Sequence, residues 1–377
     1  MPPARRLERL IAQAYATHRR CYRTRFQEWL GCRVDDGAIQ RFREAHCRPG
    51  DVPIAFVGVW DTVDAVGLPF HASDFVNLTF HRFKFPDYYL SPTVERAAHA
   101  LAIDDERQSF HPRLWHLRQG DEARIEQVWF AGAHSNVGGG YPKPGLSLVA
   151  LQWMMQHAEA AGLRLLPSDR GYYADHANVD DKLYDPRAGA GVFYRWRPRD
   201  LETLCRDNEV TPALHVSVLE RIAHGTDGYS PGNLPPRARV VVTSTGHPER
   251  DAAAAERARG VEEVLHQAHA TRESLLQRVE TELRIGGLSY DVFLASLGVA
   301  LLAWLTWGGG AFVAVVLPGA IVSKALSGWA DRRMRDAFSG FWFGVQGELR
   351  RALKRARHTA ARRQSITSVP ARAVPHD

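Results

Sequence analysis

Apolar and polar positions along the chain follow several distinct patterns, each predicting its own kind of element. Near the N-terminus, Leu7, Leu10, Ile11 and Tyr15 recur at helical spacing, which predicts an amphipathic helix over residues 4–30. Residues 53–60, PIAFVGVW, form a short apolar run rich in β-branched and aromatic side chains, expected to be a buried strand. EQVWFA (126–131) reads as a second buried strand and ARVVVTST (238–245) as a last one. In SPTVERAAHALAIDD, Ser91 is placed to cap a helix and Pro92 to occupy its first turn, so a helix is expected over 91–103. LSLVALQWMMQHAEAAGL (146–163) has a strong amphipathic helical pattern, with Gly162 near its end, and LHVSVLERI (214–222) predicts another helix. Residues 66–92 show no period and read as an irregular excursion, and YSPGNLP (229–235) is rich in turn formers. Strand, glycine-rich loop, then helix is the alternation of an α/β sheet domain.

The pattern changes after residue 249. Residues 249–284 are rich in Ala, Glu and Arg, the composition of a polar-faced helix or linker arm. Between Asp291 and Lys324 no residue is charged, a run longer than the roughly 20 apolar residues that a spanning helix needs. Gly308, Gly309 and Gly310 interrupt it. It therefore fits either one helix over 292–311 with an apolar remainder, or a tight hairpin of two short helices turning at the glycines. Trp304 and Trp307 are candidates for a membrane interface. These shifts predict a sheet domain over 1–245, a helical linker over 246–290, a transmembrane segment or hairpin over 291–323 and a basic tail over 324–377.

Charge sharpens the C-terminal reading. The net charge is +6, yet residues 324–377 alone hold 12 Lys/Arg against 4 Asp/Glu, a net of +8. A basic flank beside an apolar run stays on the cytoplasmic side or meets anionic headgroups, so the expected partner is a phospholipid membrane. The alternative is a buried apolar hairpin in a soluble protein, followed by a solvated basic tail. No basic platform interleaved with aromatics is present, and no nucleic-acid partner is expected. Hydrophobic content of 45% and charged content of 24% are ordinary for a globular chain, so only the extreme C-terminus reads as disordered. The 4 cysteines (Cys21, Cys32, Cys47 and Cys205) form no CxxC pair and no zinc-like cluster with histidine, so free thiols, no metal and no cofactor are expected. The charged N-terminus lacks the apolar core of a secretory signal.

The candidate chemistry lies at strand ends. Asp61 directly follows the 53–60 run, and His134 lies just after the 126–131 run, past Gly132 and Ala133. A carboxylate and then a histidine, each at the C-terminal end of a strand, is the order of the later triad members in α/β hydrolases. The histidine serves as base and then acid, and the carboxylate fixes its tautomer. By spacing alone, an Asp after a strand is more often a cap or turn residue, and one of 17 histidines is more often structural. Gly138–Gly140 are not followed by Lys-Ser/Thr, so they do not form a P-loop; a sharp turn is the simpler reading.

Three longer strings decide more. FVGVWDTVDAVG, HALAIDDER (99–107) and VWFAGAHSNVGGGYP resemble, in order, the hallmark motifs of an α/β-hydrolase domain family that includes phospholipase effectors of bacterial type VI secretion systems. Weaker likeness continues through LSLVALQWMMQHAEAAGL, LHVSVLERI and YSPGNLP, so the resemblance spans roughly residues 1–240. It implies ester hydrolysis of membrane phospholipids by a serine esterase, with Asp61 as triad acid, His134 as general base, and Ser135, Asn136 and Gly138–Gly140 holding the histidine loop. His99 and Asp104 match motif positions and are expected to be structural. The resemblance also implies a bacterial, membrane-associated protein, cytoplasmic before any export, with a secretion-system or immunity protein as its expected protein partner.

One motif of that family is missing. A Gly-x-Ser-x-Gly nucleophile elbow lies upstream of the aspartate motif in the family, and none occurs upstream of Asp61 here; Ser135 and Ser244 lack the flanking glycines. AYATHRRCYRTRF (14–26) resembles the region just after the family's nucleophile helix. The expectation is therefore an incomplete α/β-hydrolase-like sheet domain that begins past the elbow. Three readings follow: an esterase whose nucleophile lies on a missing segment, a catalytically inactive membrane-anchored interaction protein, or a hydrolase using Cys21 or Cys205, neither of which carries a local nucleophile signature.

Overall fold

The computed structural model describes residues 4–20, 37–63, 88–189, 194–235, 237–244, 248–307 and 309–367. Its centre is a 5-stranded, wholly parallel sheet in which spatial order follows chain order: β1 (Ile54–Trp60), β2 (Val94–Ala102), β3 (Ile125–Phe130), β4 (Ala213–His215) and β5 (Arg239–Val241). The helices are α1 (Ala4–Arg20), α2 (Ala38–His46), α3 (His134–Gly138), α4 (Gly145–Ala160), α5 (Pro167–His176), α6 (Leu201–Asp207), α7 (Val216–His224), α8 (Pro248–Gln267), α9 (His269–Arg278), α10 (Glu280–Trp307) and α11 (Gly309–Thr367).

Parallel sheets are covered on both faces, and side chains alternate between those faces. On one face, Ala98, Ala100 and Ala102 of β2 and Val128 and Phe130 of β3 pack under Val149, Trp153 and Met154 of α4. On the other, Leu101, Trp129 and Leu214 pack with Leu219 and Ile222 of α7, Val261 of α8, and Phe338, Trp342 and Leu349 of α11. Gly58 of β1 is required by the first layer, because a Cβ there would lie 2.6 Å from the Met154 sulfur.

The helix expected over 91–103 is a strand. Ala, Glu and Arg favour helix locally, but Val94–Ala102 is hydrogen-bonded between β1 and β3 at the middle of the sheet. Tertiary pairing overrides the weak intrinsic preference, and the alanines suit a strand pressed closely between two layers. The helix expected over 214–222 begins two residues later, because Leu214 and His215 belong to β4. The remaining strand expectations sit within a residue or two of β1 and β3, while β5 is shorter than expected. The N-terminal helix is described through Arg20; residues 21–30, 64–87 and 245 lie outside the described residues, as do Cys21 and Cys32.

The apolar run forms two helical arms. α10 and α11 each contain a stretch long and apolar enough to cross a membrane by length and composition. The arms pack side by side: a Cβ on Gly319 of α11 would fall 2.4 Å from the Ser296 Cβ of α10. The geometry is thus a hairpin turning between Trp307 and Gly309. Leu302, Leu305, Leu317 and Ile321 remain exposed on it. The base of the hairpin is embedded in the sheet domain, where Gly286 sits against the indole of Trp196 and against Ala330. Beyond Lys324 the chain stays helical, and its first three dozen residues close the sheet's second core through Phe338, Trp342 and Leu349. The basic stretch up to that point is a covering helix of the domain rather than a solvated tail.

A Gly286→Leu substitution places a branched side chain where the Trp196 ring lies. We expect a loss of about 1–3 kcal/mol from overpacking, measured by denaturant unfolding, whereas Gly287→Leu, at a position with open space, leaves stability nearly unchanged.

Candidate active site

Asp61, Asp104, Asp105 and His134 all lie just past the C-terminal ends of β1, β2 and β3, the edge where parallel α/β sheets gather ligands and reacting groups. Asp61 and His134 come from strands two apart, so their side chains must meet across the end of β2. Ala102 ends β2 with a small side chain and donates its N–H to Asp61 Oδ1 at 2.9 Å. His134 Nδ1 lies 2.7 Å from Asp61 Oδ2.

The backbone is shaped for this meeting. Asp61 adopts φ 41°, in the left-handed region that non-glycine residues seldom enter. Its N–H donates to the Ala100 carbonyl at 2.8 Å, and the next residue is fastened by His99, whose Nε2 accepts from Thr62 N at 3.2 Å. His99 is buried, and burial lowers its pKa to about 4, so it stays neutral and braces the turn, with Nδ1 facing Gln127 Oε1. On the other side, Gly132 has φ 116°, and a Cβ there would strike Asn136 at 2.4 Å. Buried Asn136 ties the loop together by accepting from Ala133 N and Tyr184 N and donating to the Lys182 carbonyl. His134 is the first residue of α3, and its N–H donates to Asp105 Oδ2 at 3.1 Å.

Asp61 is fully buried, and a buried carboxylate without partners would be costly. Its partner is Arg199, also buried, which donates from Nη1 to Oδ1 at 2.7 Å and from Nη2 to Oδ2 at 2.8 Å. Arg199 also donates to the carbonyls of Ala102 and Phe110. Burial pushes the Asp61 carboxyl upward, but the Arg199 charge and the hydrogen bonds from His134 and Arg199 outweigh it and hold Asp61 well below the usual carboxylate range. Asp61 is therefore an ionised acceptor that orients the imidazole through Nδ1. Nε2 of the half-exposed His134 is left as the nitrogen that can take a proton from a nucleophile.

A further circuit surrounds the imidazole. Arg107 pairs with Asp105 at 2.6 Å, and its guanidinium carbon lies 3.4 Å from the centroid of Phe110. Phe110 in turn presents its ring to His134 edge-on at 5.3 Å between centroids. Asp104 accepts from Gly132 N at 2.6 Å and from the Tyr229 hydroxyl at 2.9 Å, which braces the loop that carries His134.

Residues 4–157 match the family described as "T6SS, Phospholipase effector Tle1-like, catalytic domain". This part of the chain is similar to that family. The match spans β1 through β3 and includes Asp61 and His134; Arg199 lies beyond it. No curated protein and no solved structure matches the chain significantly. Asp61 and His134, singled out from sequence, are brought into contact, whereas Arg199, Asp105 and Arg107 carried no signal in the sequence. Arg199 is one of three arginines alternating in RWRPR (195–199), with no local feature to distinguish it from Arg195 or Arg197. Cys205 is fully buried, and burial pushes its thiol up to about 11, so it is no nucleophile. Among the described residues no group of His, Cys, Asp and Glu is arranged to hold a metal ion.

Asp61→Asn and Arg199→Met should each destabilise by about 3–5 kcal/mol, since each strands the partner's buried charge. The double substitution should cost less than the sum, as read from urea unfolding in a double-mutant cycle. The depressed Asp61 pKa adds stability that is fully present above the unfolded value of about 3.9 and is lost only as pH falls toward the lower folded value. Unfolding measured from pH 7 down to pH 4 should accordingly show no loss that Asp61→Asn removes.

Proposed function

We propose that the effector domain carries the acid and base of an ester hydrolase acting on membrane phospholipids, with Asp61 as the orienting acid and His134 as the general base. The observation that carries this reading is the 2.7 Å contact between His134 Nδ1 and the ionised Asp61 at the C-terminal edge of the sheet. In the reaction, His134 Nε2 takes the proton of a nucleophilic hydroxyl as its oxygen attacks the ester carbonyl carbon. It then returns that proton to the departing alcohol oxygen, and water repeats the sequence to release the fatty acid. The Tle1-like match supports a phospholipid as the ester. The hydroxyl is not assigned to a residue: no Gly-x-Ser-x-Gly lies upstream of Asp61, where the family has its elbow, and the string GYSPG (228–232) follows His134 in the chain instead; an elbow serine on a further segment completes the reading. By the same family, a secretion-system component or an immunity protein is its expected protein partner.

The apolar hairpin delivers this edge to lipid. Although the whole of α10 has the length and composition to cross a membrane, its uncharged part from Val292 to Trp307 rises only about 24 Å along its axis, less than the roughly 30 Å of a full core. We therefore read the hairpin as an insertion from one side, with Trp304 exposed on it. Replacing 292–322 by a short polar linker should abolish flotation with anionic liposomes while keeping Phe338, Trp342 and Leu349 in the core. Undiminished flotation would remove the hairpin's role.

The catalytic reading is tested by fatty-acid release from phospholipid vesicles, by this chain alone and with the upstream reading-frame segment supplied. Activity that falls by a factor of about 10³ or more in His134→Ala supports the dyad. Activity untouched by His134→Ala assigns the chemistry elsewhere. A second reading, a catalytically inactive membrane-anchored interaction protein, is favoured by the missing elbow motif; absence of hydrolysis in both arms selects it.

A further inference from the structure

A cavity of about 720 Å3 lies between the sheet domain and the charged stretch of α11. Neither Asp61 nor His134 lines it; Arg199 and Asp104, which brace the dyad, stand in its wall. Its size falls in the range of small-molecule sites, roughly 300–1,000 Å3.

The α11 wall presents Lys324, Gly328, Arg332 and Arg335, whose spacing of about one turn or two places them on a single helix face. Gly328 leaves that wall open, since a Cβ there would meet only the Arg332 guanidinium, at 3.9 Å. The lining holds 6 Arg/Lys and 5 Asp/Glu, but the two sets are not equally free. Asp104 accepts from Gly132 and Tyr229, Asp331 pairs with Arg335 at 2.5 Å, Asp227 meets Arg221 at 3.4 Å, and Asp185 accepts, among the described residues, only from the backbone N–H of Arg187 at 2.8 Å. Glu106 accepts from the Trp196 indole at 2.9 Å, and burial beside Asp331 pushes its carboxyl well above the ordinary range, towards the neutral form. Four of the cations are engaged, Arg199 with Asp61, Arg335 with Asp331, Arg221 with Asp227 and Arg187 with Ser327. The Lys324 and Arg332 side chains form no ion pair or hydrogen bond among the described residues, and the Nε–H groups of partly buried Arg187 and buried Arg221 lack acceptors. The cavity therefore has an excess of unsatisfied donors and positive charge.

We propose that this cavity binds a phosphate-bearing anion of headgroup size, held chiefly by Lys324 and Arg332. A phosphate offers several acceptor oxygens in different directions, which suits cations arriving from one helix face better than a planar carboxylate does. The position agrees: the uncharged arm of α11 ends at Ser323, and Lys324 is the first cavity residue after it, so a hairpin seated in lipid brings the cavity to headgroup depth. The same chemistry is offered by a phospholipid headgroup and by a water-soluble phosphate ester.

The test uses the full chain and needs no turnover, so it stands or falls separately from the hydrolytic reading. Glycerol 3-phosphate and inorganic phosphate are titrated calorimetrically against chloride at matched ionic strength, and phosphatidylglycerol vesicles are then added as competitor. Saturable binding is expected, weakened about tenfold or more in Lys324→Ala/Arg332→Ala, as loss of charge-assisted hydrogen bonds predicts, and unchanged in Arg284→Ala, a cation outside the cavity. Single Lys324→Gln and Arg332→Gln variants serve if the double variant fails to fold. Competition by vesicles identifies a lipid headgroup and its absence a soluble ester. No saturable binding of either soluble phosphate by the unmodified chain, or equal binding by the folded variants, overturns the proposal.

Discussion

The charge on Asp61 is the constraint around which the rest of the sheet domain is arranged. It is fully buried at the end of β1, and water cannot compensate it. Four donors replace water: the Ala102 amide, both terminal nitrogens of Arg199, and His134 Nδ1. They come from β2, from the start of α3 and from a position 138 residues downstream. Satisfying one carboxylate thus draws distant parts of the chain to one sheet edge. An isolated aspartate–histidine contact would leave this charge only partly satisfied. The buried arginine makes it both ionised and fixed, which is what an orienting acid requires.

The same economy of space explains the alanines of β2. That strand runs between β1 and β3 and beneath α4, and its end lies directly under the Asp61–His134 contact. Ala102 belongs to the layer packed beneath α4, while its backbone N–H reaches Asp61. The left-handed backbone of Asp61 and the positive φ of Gly132 serve the same purpose from either side, turning each chain sharply as it leaves its strand.

α11 joins the sheet to the apolar hairpin. Its first part is an exposed apolar arm, and its later part buries Phe338, Trp342 and Leu349 against the sheet. The helix that would enter lipid is therefore continuous with one that closes the core. Displacement of the hairpin base, at Gly286, Trp196 and Ala330, would be felt by the segment that carries Arg199.

Short-range pattern was enough where the signal was local. The apolar runs at β1 and β3, the long helix α4 and the uncharged stretch after Asp291 all declare themselves locally, whereas the choice between one long helix and a hairpin was made only by the packing of α10 against α11. The identities of Asp61 and His134 followed from long motifs in a fixed order. The segment 91–103 misled because alanine-rich sequence suits an isolated helix, whereas its neighbours in the sheet supply hydrogen bonds that local propensity does not register. Arg199 was invisible for the same reason: its role is set by a partner far away in sequence, and RWRPR marks none of its arginines as special. The stretch after Lys324 read as a basic tail because charge dominates its composition, yet Phe338, Trp342 and Leu349 in it are buried in the core. The sequence by itself therefore determined the α/β alternation, the placement of Asp61 and His134 at strand ends, and the uncharged apolar run, since these depend on local periodicity and motif order. Only tertiary structure decided what makes the dyad an ionised, oriented pair, because neutralising a buried charge depends on which groups the fold brings within hydrogen-bonding distance.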